Sequence, residues 1–283
     1  MSMTTDLTER YRLFSDEEWF DAIRKSVQDA SLGLPAFPPD ELVRRANHAE
    51  LELALTKASE IFRVIKQMAR TYGRPLGPPS TVLDYGCGWG RVARFFLRDV
   101  PPANLTGCDV DRELVAASQR AMPESNFLSI EPDAPLPFAE ESFDLICSVS
   151  VLSHLPAPVH IQVVTSLARV LRTGGVLVAT TLGRRHLGLM KKWARSPRQD
   201  LEAGQQKWLD ALPDLDAATQ RYEYGEFVSG VTGTLAGLLP GYGIAFAPDA
   251  WVQARWPDTL EVVDINHDIW SQSVITARKR GLP

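Results

Sequence analysis

The stretch Val82-Leu83-Asp84-Tyr85-Gly86-Cys87-Gly88-Trp89-Gly90 decides the fold. Its first two residues favour a buried strand, and Asp84 stands at the carboxyl end of that strand. The three glycines allow the backbone to turn tightly and to approach a ligand without a Cβ atom in the way. An apolar helical pattern begins directly after them. The stretch therefore predicts a strand, a glycine turn and the start of a helix.

Strands and helices alternate on the carboxyl side of this turn. Alternation of this kind is typical of a parallel sheet that is covered by helices on both faces. A polar loop joins the last two predicted strands and allows them to pair antiparallel. We therefore predict a doubly wound α/β fold with a seven-stranded, mostly parallel sheet and an antiparallel last strand. The predicted strands are 82–84, 105–109, 127–130, 143–149, 176–181, 259–265 and 272–277.

The chain divides into four parts around this sheet. Residues 1–79 predict an N-terminal helical extension or lid, with a capping box at Ser15 and a long helix from about Asp40 to Tyr72. Residues 80–182 form the core, and 183–257 are an insertion that ends in an irregular, glycine-rich stretch. Residues 258–283 supply the closing strands.

Composition limits the function classes. The 283 residues are 45% hydrophobic and 23% charged, as in ordinary soluble proteins, and the net charge of −5 argues against nucleic acid as the main partner. Cys87, Cys108 and Cys147 fit neither a zinc pattern nor a disulfide framework. The N-terminus is too polar for a signal peptide, and no stretch is long and apolar enough to span a membrane. We expect a cytoplasmic protein without a metal or a membrane partner; the oligomeric state stays open.

The spacing of the glycines separates two classes of nucleotide cofactor. The dinucleotide fingerprint is Gly-x-Gly-x-x-Gly, and counting from Gly86 places Arg91 at its third glycine. Gly90 comes one residue too early for that fingerprint. The pattern therefore argues against a nicotinamide cofactor.

Four ordered motifs instead resemble class I S-adenosylmethionine-dependent methyltransferases, of the type 11 or type 25 kind. Asp84-x-Gly86-x-Gly88-x-Gly90 resembles the first motif, and Gly107-Cys108-Asp109 resembles the acidic end of that family's second strand. Residues 135–146 resemble its "LPF…SFDLI" element, and residues 171–177 its "LkpGG" element. The resemblance covers about residues 81–181 and implies S-adenosylmethionine as the cofactor.

The resemblance implies roles at the methionine end of the cofactor. Backbone N–H groups between Gly86 and Gly88 would face its carboxylate, with Cys87 lending only its backbone. Asp84 and the carbonyl of Ser148 would face its ammonium group. Gly90 completes the turn.

The resemblance also implies roles at the nucleoside end. Asp109 would accept hydrogen bonds from both ribose hydroxyls, and Val110 would pack against the adenine. An acidic side chain after the third strand would meet the adenine amino group. Asp133 is the first choice and Glu131 the second, because the spacing here is one residue shorter than usual.

His154 is the candidate catalytic residue. Methyl transfer to a hydroxyl requires removal of a proton, and a histidine has a suitable pKa for this. The alternative is a structural role in orienting the following helix. A base at this point favours an oxygen acceptor slightly over nitrogen, on a small molecule or a glycan. The acceptor pocket is expected between the insertion and the N-terminal helices, with lid candidates Tyr11, Phe14, Trp19 and Phe20. The alternative for the aromatic residues is a place in the core.

Two other functions are alternatives. One is a non-catalytic protein that binds S-adenosylmethionine, and the other, less favoured, is an NAD(P)-dependent dehydrogenase. The segment after the fourth strand lacks the Asn/Asp-Pro-Pro-Tyr/Phe signature of methyltransferases that act on nucleic-acid amino groups. The sequence therefore favours a methyltransferase that acts on a small molecule or a glycan.

Overall fold

A seven-stranded sheet forms the centre of the computed structural model, which describes residues 7–132, 134–233 and 241–281. Its strand order is β3-β2-β1-β4-β5-β9-β8. β1 to β5 run parallel, and β9 pairs antiparallel with both β5 and β8, as the sequence predicts. The strands of the described chain are β1 (Val82–Tyr85), β2 (Leu105–Asp109), β3 (Asn126–Ser129), β4 (Phe143–Ser148), β5 (Leu171–Thr181), β6 (Val228–Val231), β7 (Gly243–Phe246), β8 (Leu260–Asn266) and β9 (Ser273–Lys279).

Helices cover both faces of this sheet. The N-terminal helices, α5 and α6 pack with one face, while α7 and α11 pack with the other. The helices of the described chain are α1 (Leu7–Tyr11), α2 (Asp16–Lys25), α3 (Asp40–Asn47), α4 (Leu51–Tyr72), α5 (Ala93–Phe96), α6 (Arg112–Ala121), α7 (Ala157–Val170), α8 (Arg184–Trp193), α9 (Ala203–Ala211), α10 (Leu215–Glu223) and α11 (Asp249–Arg255). Within these described residues, no helix is long and apolar enough to cross a lipid bilayer.

The strand order reverses between β1 and β4. Asp84, near the end of β1, lies in register with Gly107 of β2 on one side and with Cys147 of β4 on the other. The connections that follow β1 and β4 leave in opposite directions along the sheet, which opens a crevice at the carboxyl edge of these strands. The predicted glycine turn begins at this crevice.

The N-terminal region differs from the prediction at one point. The capping box at Ser15 is confirmed, since its hydroxyl accepts from the Glu18 N–H and the Glu18 carboxylate accepts from the Ser15 N–H. The single long helix was wrong. The chain breaks between α3 and α4, where His48 adopts a left-handed conformation with φ of 49°. This break turns the end of α3 toward the crevice.

The insertion is more regular than its glycine content predicts. β6 and β7 pair antiparallel inside the stretch that was expected to be irregular, and α10 was not predicted. A bridge between Leu182 and Phe246 joins β7 to the end of β5. The insertion has its own apolar core, yet it is anchored at the carboxyl edge of the main sheet.

His160 of α7 is a buried histidine in an aromatic cluster with Phe227, Trp251 and Trp256. The Trp256 indole N–H donates to His160 Nε2 at 3.1 Å, so this nitrogen must stay unprotonated. Burial lowers the pKa of His160 to about 4. The folded protein therefore holds this histidine neutral across the mildly acidic range.

We predict that His160 makes the fold sensitive to acid. Between pH 6.5 and about 4, His160 is protonated in the unfolded chain but stays neutral in the folded protein. The unfolded chain therefore binds more protons, and the free energy of unfolding falls as the pH falls. The loss approaches about 3 kcal/mol, at 1.36 kcal/mol for each pKa unit. Urea denaturation of wild type and H160Q at pH 7.5 and pH 5 measures it. H160Q should lose less stability than wild type over this interval, and equal losses would contradict the prediction.

Candidate functional site

A cavity of about 540 Å³ opens at the carboxyl edge of β1, β2 and β4. Its size falls within the range of small-molecule and cofactor sites. Six regions of the chain line it: the glycine turn, the ends of the neighbouring strands with the loops that follow them, the last residues of α3, the beginnings of α6 and α7, and one residue of the insertion. The lining residues are Arg45, Ala46, Asn47, His48, Asp84, Tyr85, Gly86, Cys87, Gly88, Trp89, Arg91, Val92, Asp109, Val110, Asp111, Leu114, Ile130, Pro132, Val149, Ser150, Val151, His154, Leu155, Val159, Val163 and Tyr242.

Hydrogen bonds to the end of β2 hold the glycine turn in place. The N–H groups of Gly86 and Cys87 donate to the Cys108 carbonyl at 2.8 and 3.1 Å, and the Gly88 N–H donates to the Asp109 carboxylate at 2.8 Å. Gly86 has a φ of 75°, and a Cβ atom there would lie 2.2 Å from a Val151 methyl group. The turn thus requires glycine for both its conformation and its packing.

One predicted role of this turn is therefore corrected. The sequence interpretation offered the N–H groups between Gly86 and Gly88 to a ligand carboxylate. All three are already donated to Cys108 and Asp109, so they are not free to bind a second acceptor.

Asp109 at the end of β2 is oriented through both of its carboxylate oxygens. Oδ2 accepts from the Gly88 N–H, and Oδ1 accepts from the Asp111 N–H at 2.9 Å. Burial raises the pKa of Asp109, although these backbone hydrogen bonds oppose the shift. Each carboxylate oxygen keeps a second lone pair for a hydroxyl donor in the cavity.

Among the described residues that line the cavity, Asp84 is the one with a buried side-chain polar atom that lacks a hydrogen-bond partner. Its Oδ1 accepts a weak hydrogen bond from the Cys147 thiol at 3.5 Å, while Oδ2 has no partner among the described residues. Burial raises the pKa of Asp84 to about 7. A buried carboxylate oxygen without a donor at a cavity wall fits a positively charged ligand group.

Arg91 is a cavity residue that the sequence interpretation did not assign. Burial lowers the pKa of its guanidinium to about 10, so the group remains charged at neutral pH. It donates to the Ala54 carbonyl at 3.3 Å, and within the described chain it forms no ion pair. Its position directly after the third glycine of the turn is the sequence signal that could have identified it.

His154 lies in the segment after β4 and is held on two sides by the insertion. Its Nδ1 lies 2.7 Å from the Gly243 carbonyl, and its ring stacks on Tyr242 with 4.9 Å between the ring centroids. A carbonyl oxygen only accepts, so Nδ1 carries the hydrogen and Nε2 carries the lone pair when the ring is neutral. Burial lowers the pKa of His154, and the nearby His48 adds to the shift.

The end of α3 covers one side of the cavity. Arg45 forms ion pairs with Asp111 at 3.1 Å and with Glu113 at 2.6 Å, at the start of α6. The Asn47 side-chain oxygen accepts from the Trp89 indole N–H at 2.7 Å. These contacts join the N-terminal region to both the glycine turn and the start of α6. Nothing in the sequence pattern around α3 indicated them.

Most of the predicted site residues meet at the cavity, and two do not. Gly90 has a φ of 77° and packs closely against Met122 and Ser118, so it shapes the turn without lining the cavity. Ser148 is fully buried, and it is not a lining residue. The predicted residues that line the cavity are Asp84, Gly86, Cys87, Gly88, Asp109, Val110 and His154.

The two candidates for an adenine contact have different outcomes. Asp133 lies outside the described residues. Glu131 has an exposed side chain that pairs with Arg112 at 2.7 Å, and it does not line the cavity. Ile130 and Pro132 present apolar surface at this part of the wall instead.

The aromatic lid candidates do not line the cavity. Tyr11 and Trp19 are buried in the core, where the Trp19 indole donates to the Phe95 carbonyl at 2.8 Å. Phe14 and Phe20 are likewise not among the residues that line the cavity. The side chains of α3, rather than these aromatic residues, supply the N-terminal wall.

Known proteins share this architecture. A family profile described as "Methyltransferase domain" matches residues 82–175. A demethylmenaquinone methyltransferase from Chlamydia felis is 33% identical over 121 residues, which are 41% of this chain and 52% of that protein. A fatty-acid O-methyltransferase from Mycolicibacterium smegmatis is 29% identical over 75% of this chain and 65% of its own length. The chain thus spans less than two thirds of each of these relatives.

A solved structure supports the same fold. A S-adenosylmethionine-dependent methyltransferase from Methanosarcina mazei superimposes with a TM-score of 0.50, at 18% identity over 75% of this chain and 97% of that protein. At this level of identity the likeness concerns the fold alone.

We predict that ionisation of Asp84 controls binding of S-adenosylhomocysteine, whose ammonium group needs a negative partner. With a pKa of about 7, Asp84 is mostly protonated at pH 6 and mostly ionised at pH 8. The dissociation constant should therefore be about tenfold higher at pH 6. Calorimetric titration at both pH values measures this.

The matched variants are D84N and E131Q. D84N should bind more weakly and lose most of the pH dependence. E131Q removes an exposed carboxylate outside the cavity and should behave as wild type. Equal affinity of the wild-type chain at pH 6 and pH 8 would exclude this role for Asp84.

Proposed function

Residues 82–175 form a class I S-adenosylmethionine-dependent methyltransferase domain, and we propose that the chain methylates an oxygen atom of a small-molecule or glycan acceptor. The observation that carries this proposal is the tautomer and protonation state of His154. Its Nδ1 hydrogen is directed to the Gly243 carbonyl and its pKa is lowered, so Nε2 is a neutral base at the cavity. A positioned neutral base is what a hydroxyl acceptor requires.

The residues of the turn fit the polar groups of the cofactor. When bound, S-adenosylmethionine supplies an activated methyl group on a sulfonium. Asp84 would bind the ammonium group of the cofactor through its unpartnered oxygen. Arg91 would pair with the cofactor's carboxylate, because the backbone N–H groups of the turn already donate to Cys108 and Asp109. Asp109 would accept from the ribose hydroxyls with the lone pairs left free by the backbone.

Apolar residues fit the adenine. Val110 lines the cavity beside Asp109, and Ile130, Pro132 and Leu155 add apolar surface to the same wall. An aromatic base buried between such side chains gains hydrophobic stabilisation. An acidic contact from Asp133 to the adenine amino group remains part of the proposal.

The charges around the cavity support an oxygen acceptor over an amine. Three acidic residues line the described wall: Asp84, Asp109 and Asp111. The first two are assigned to the cofactor, and Asp111 caps α6 and pairs with Arg45. An amine that arrives as its ammonium ion would thus find no carboxylate left to bind it among these residues before it loses its proton. A hydroxyl arrives neutral and needs only the lone pair of His154.

We predict that His154 is required for transfer to hydroxyl acceptors. H154Q keeps a hydrogen-bonding amide but has no basic nitrogen, and its rate should fall by about two to four orders of magnitude. In the wild type the rate should rise with pH as His154 loses its proton, with a midpoint below pH 6.5 because burial lowers the pKa.

The measurement is formation of S-adenosylhomocysteine with a panel of four acceptors: octanoate, catechol, trimethylhydroquinone and methyl glucoside. Octanoate is already ionised and serves as the internal control, since it needs no base. A loss of less than tenfold in H154Q on every hydroxyl acceptor would leave His154 with a structural role. No turnover with any acceptor would contradict the proposed function.

We predict that D109A weakens S-adenosylhomocysteine binding by about 1–3 kcal/mol, the scale of a lost hydrogen bond to a charged group. Calorimetry at pH 8 measures the affinity. D109N serves as a comparison because it retains the shape of the side chain, and thermal unfolding checks that both variants fold. Unchanged affinity in D109A would remove Asp109 from the binding site.

A further inference from the structure

Ser150 occupies a strained position at the wall of the cavity. It follows the end of β4 by two residues and lines the cavity. Its φ is 60°, in the left-handed region that residues other than glycine seldom adopt. Such a conformation costs about 1–3 kcal/mol and persists where surrounding contacts impose it.

A closed ring of hydrogen bonds imposes this conformation. The Ser150 N–H donates to Thr180 Oγ1 at 2.8 Å, and the Thr180 hydroxyl donates to Gln272 Oε1 at 2.7 Å. Gln272 Nε2 then donates to Ser150 Oγ at 2.9 Å. The ring joins the loop after β4 to the end of β5 and to the residue before β9.

The direction of each bond in the ring follows from the burial of Thr180. Thr180 is fully buried, and its oxygen already receives the Ser150 N–H. Its single hydrogen needs an acceptor, so Gln272 must present its carbonyl oxygen to Thr180 and its amide nitrogen to Ser150. Because Ser150 Oγ accepts within the ring, its own hydrogen is left to donate into the cavity.

The place of the ring in the sheet separates Ser150 from the nucleoside part of the cavity. Thr180 and Gln272 lie on the β5 and β9 side of β4, whereas Asp109 ends β2 on the other side of β1. Ser150 also precedes His154 on the same loop. The hydroxyl donor and the candidate base therefore belong to the same side of the site.

We propose that the Ser150 hydroxyl donates a hydrogen bond to the acceptor, and that Gln272 and Thr180 are positioning residues that aim it. This inference rests on the proposed methyl transfer. It implies an acceptor that carries a second oxygen beside the one methylated, because His154 takes the proton of the first and Ser150 needs a lone pair on its neighbour. Vicinal diols and hydroxyls beside a carbonyl have this chemistry.

Two substitutions separate the hydroxyl from its orientation. S150A removes the donor. Q272E keeps the size of the side chain, but a carboxylate only accepts hydrogen bonds. The Ser150 hydroxyl would then donate to this carboxylate instead of into the cavity. S153A is the matched control, since Ser153 is a buried serine on the same loop that does not line the cavity.

The experiment measures KM and kcat with catechol and with methyl glucoside, together with calorimetric binding of S-adenosylhomocysteine. We expect S150A and Q272E each to raise the acceptor KM by about tenfold. The S150A/Q272E double variant should raise the acceptor KM no further than either single variant does, because both substitutions remove the same hydrogen bond. S-adenosylhomocysteine affinity should stay within twofold of wild type in all variants, and S153A should match wild type in KM.

The contrary outcomes are distinct. A tenfold loss of S-adenosylhomocysteine affinity in S150A would assign the hydroxyl to the cofactor and overturn the inference. An unchanged acceptor KM in S150A, or multiplicative effects in the double variant, would also overturn it while the proposed methyl transfer stands. A wild-type chain that methylates neither probe but does methylate trimethylhydroquinone, whose hydroxyls have no neighbouring oxygen, would overturn the requirement for a second oxygen. No turnover with any of the four would contradict the proposed function itself.

Discussion

The hydrogen bonds between the glycine turn and the end of β2 are the constraint on which the candidate site depends. The Cys108 carbonyl receives two N–H groups of the turn, and the Asp109 carboxylate receives a third. Each buried N–H left without a partner would cost about 1–3 kcal/mol, so these contacts fix the turn against the sheet. They also occupy the N–H donors that the turn would otherwise offer to a ligand. The Arg91 side chain, directly after the turn, is a cationic donor that also lines the cavity.

The fold neutralises the buried charges of the cavity only in part: burial raises the pKa of Asp84 more than the Arg91 guanidinium and the Ala93 N–H lower it. Asp84 and Asp109 are both buried, and burial raises the pKa of each. Backbone N–H groups donate to Asp109 and offset part of the cost of burying its charge. One oxygen of Asp84, in contrast, has no hydrogen-bond donor among the described residues. A ligand with a positive group would relieve this desolvation cost. The same carboxyl groups would therefore contribute to the affinity for such a ligand.

The walls of the cavity are assembled by parts of the chain that are distant in sequence. The insertion holds His154 through Tyr242 and the Gly243 carbonyl. The end of α3 reaches the opposite wall through Arg45 and Asn47. Buried hydrogen-bond networks of this kind fix one arrangement, because a member without a partner would be costly. The orientation of the cavity side chains is thus a property of the whole fold rather than of the glycine turn.

The sequence by itself determined the sheet, the glycine turn and the acid at the end of β2, because strand periodicity, glycine spacing and strand ends are local signals. It did not determine the break at His48, the pairing of β6 with β7, or the contacts of Tyr242 and Gln272. Those depend on residues that are far apart in the chain and meet only after packing, where burial decides which polar groups need partners. Tertiary structure alone therefore decided that the N–H groups of the turn are occupied, that Arg91 faces the cavity, and that His154 keeps a free basic nitrogen.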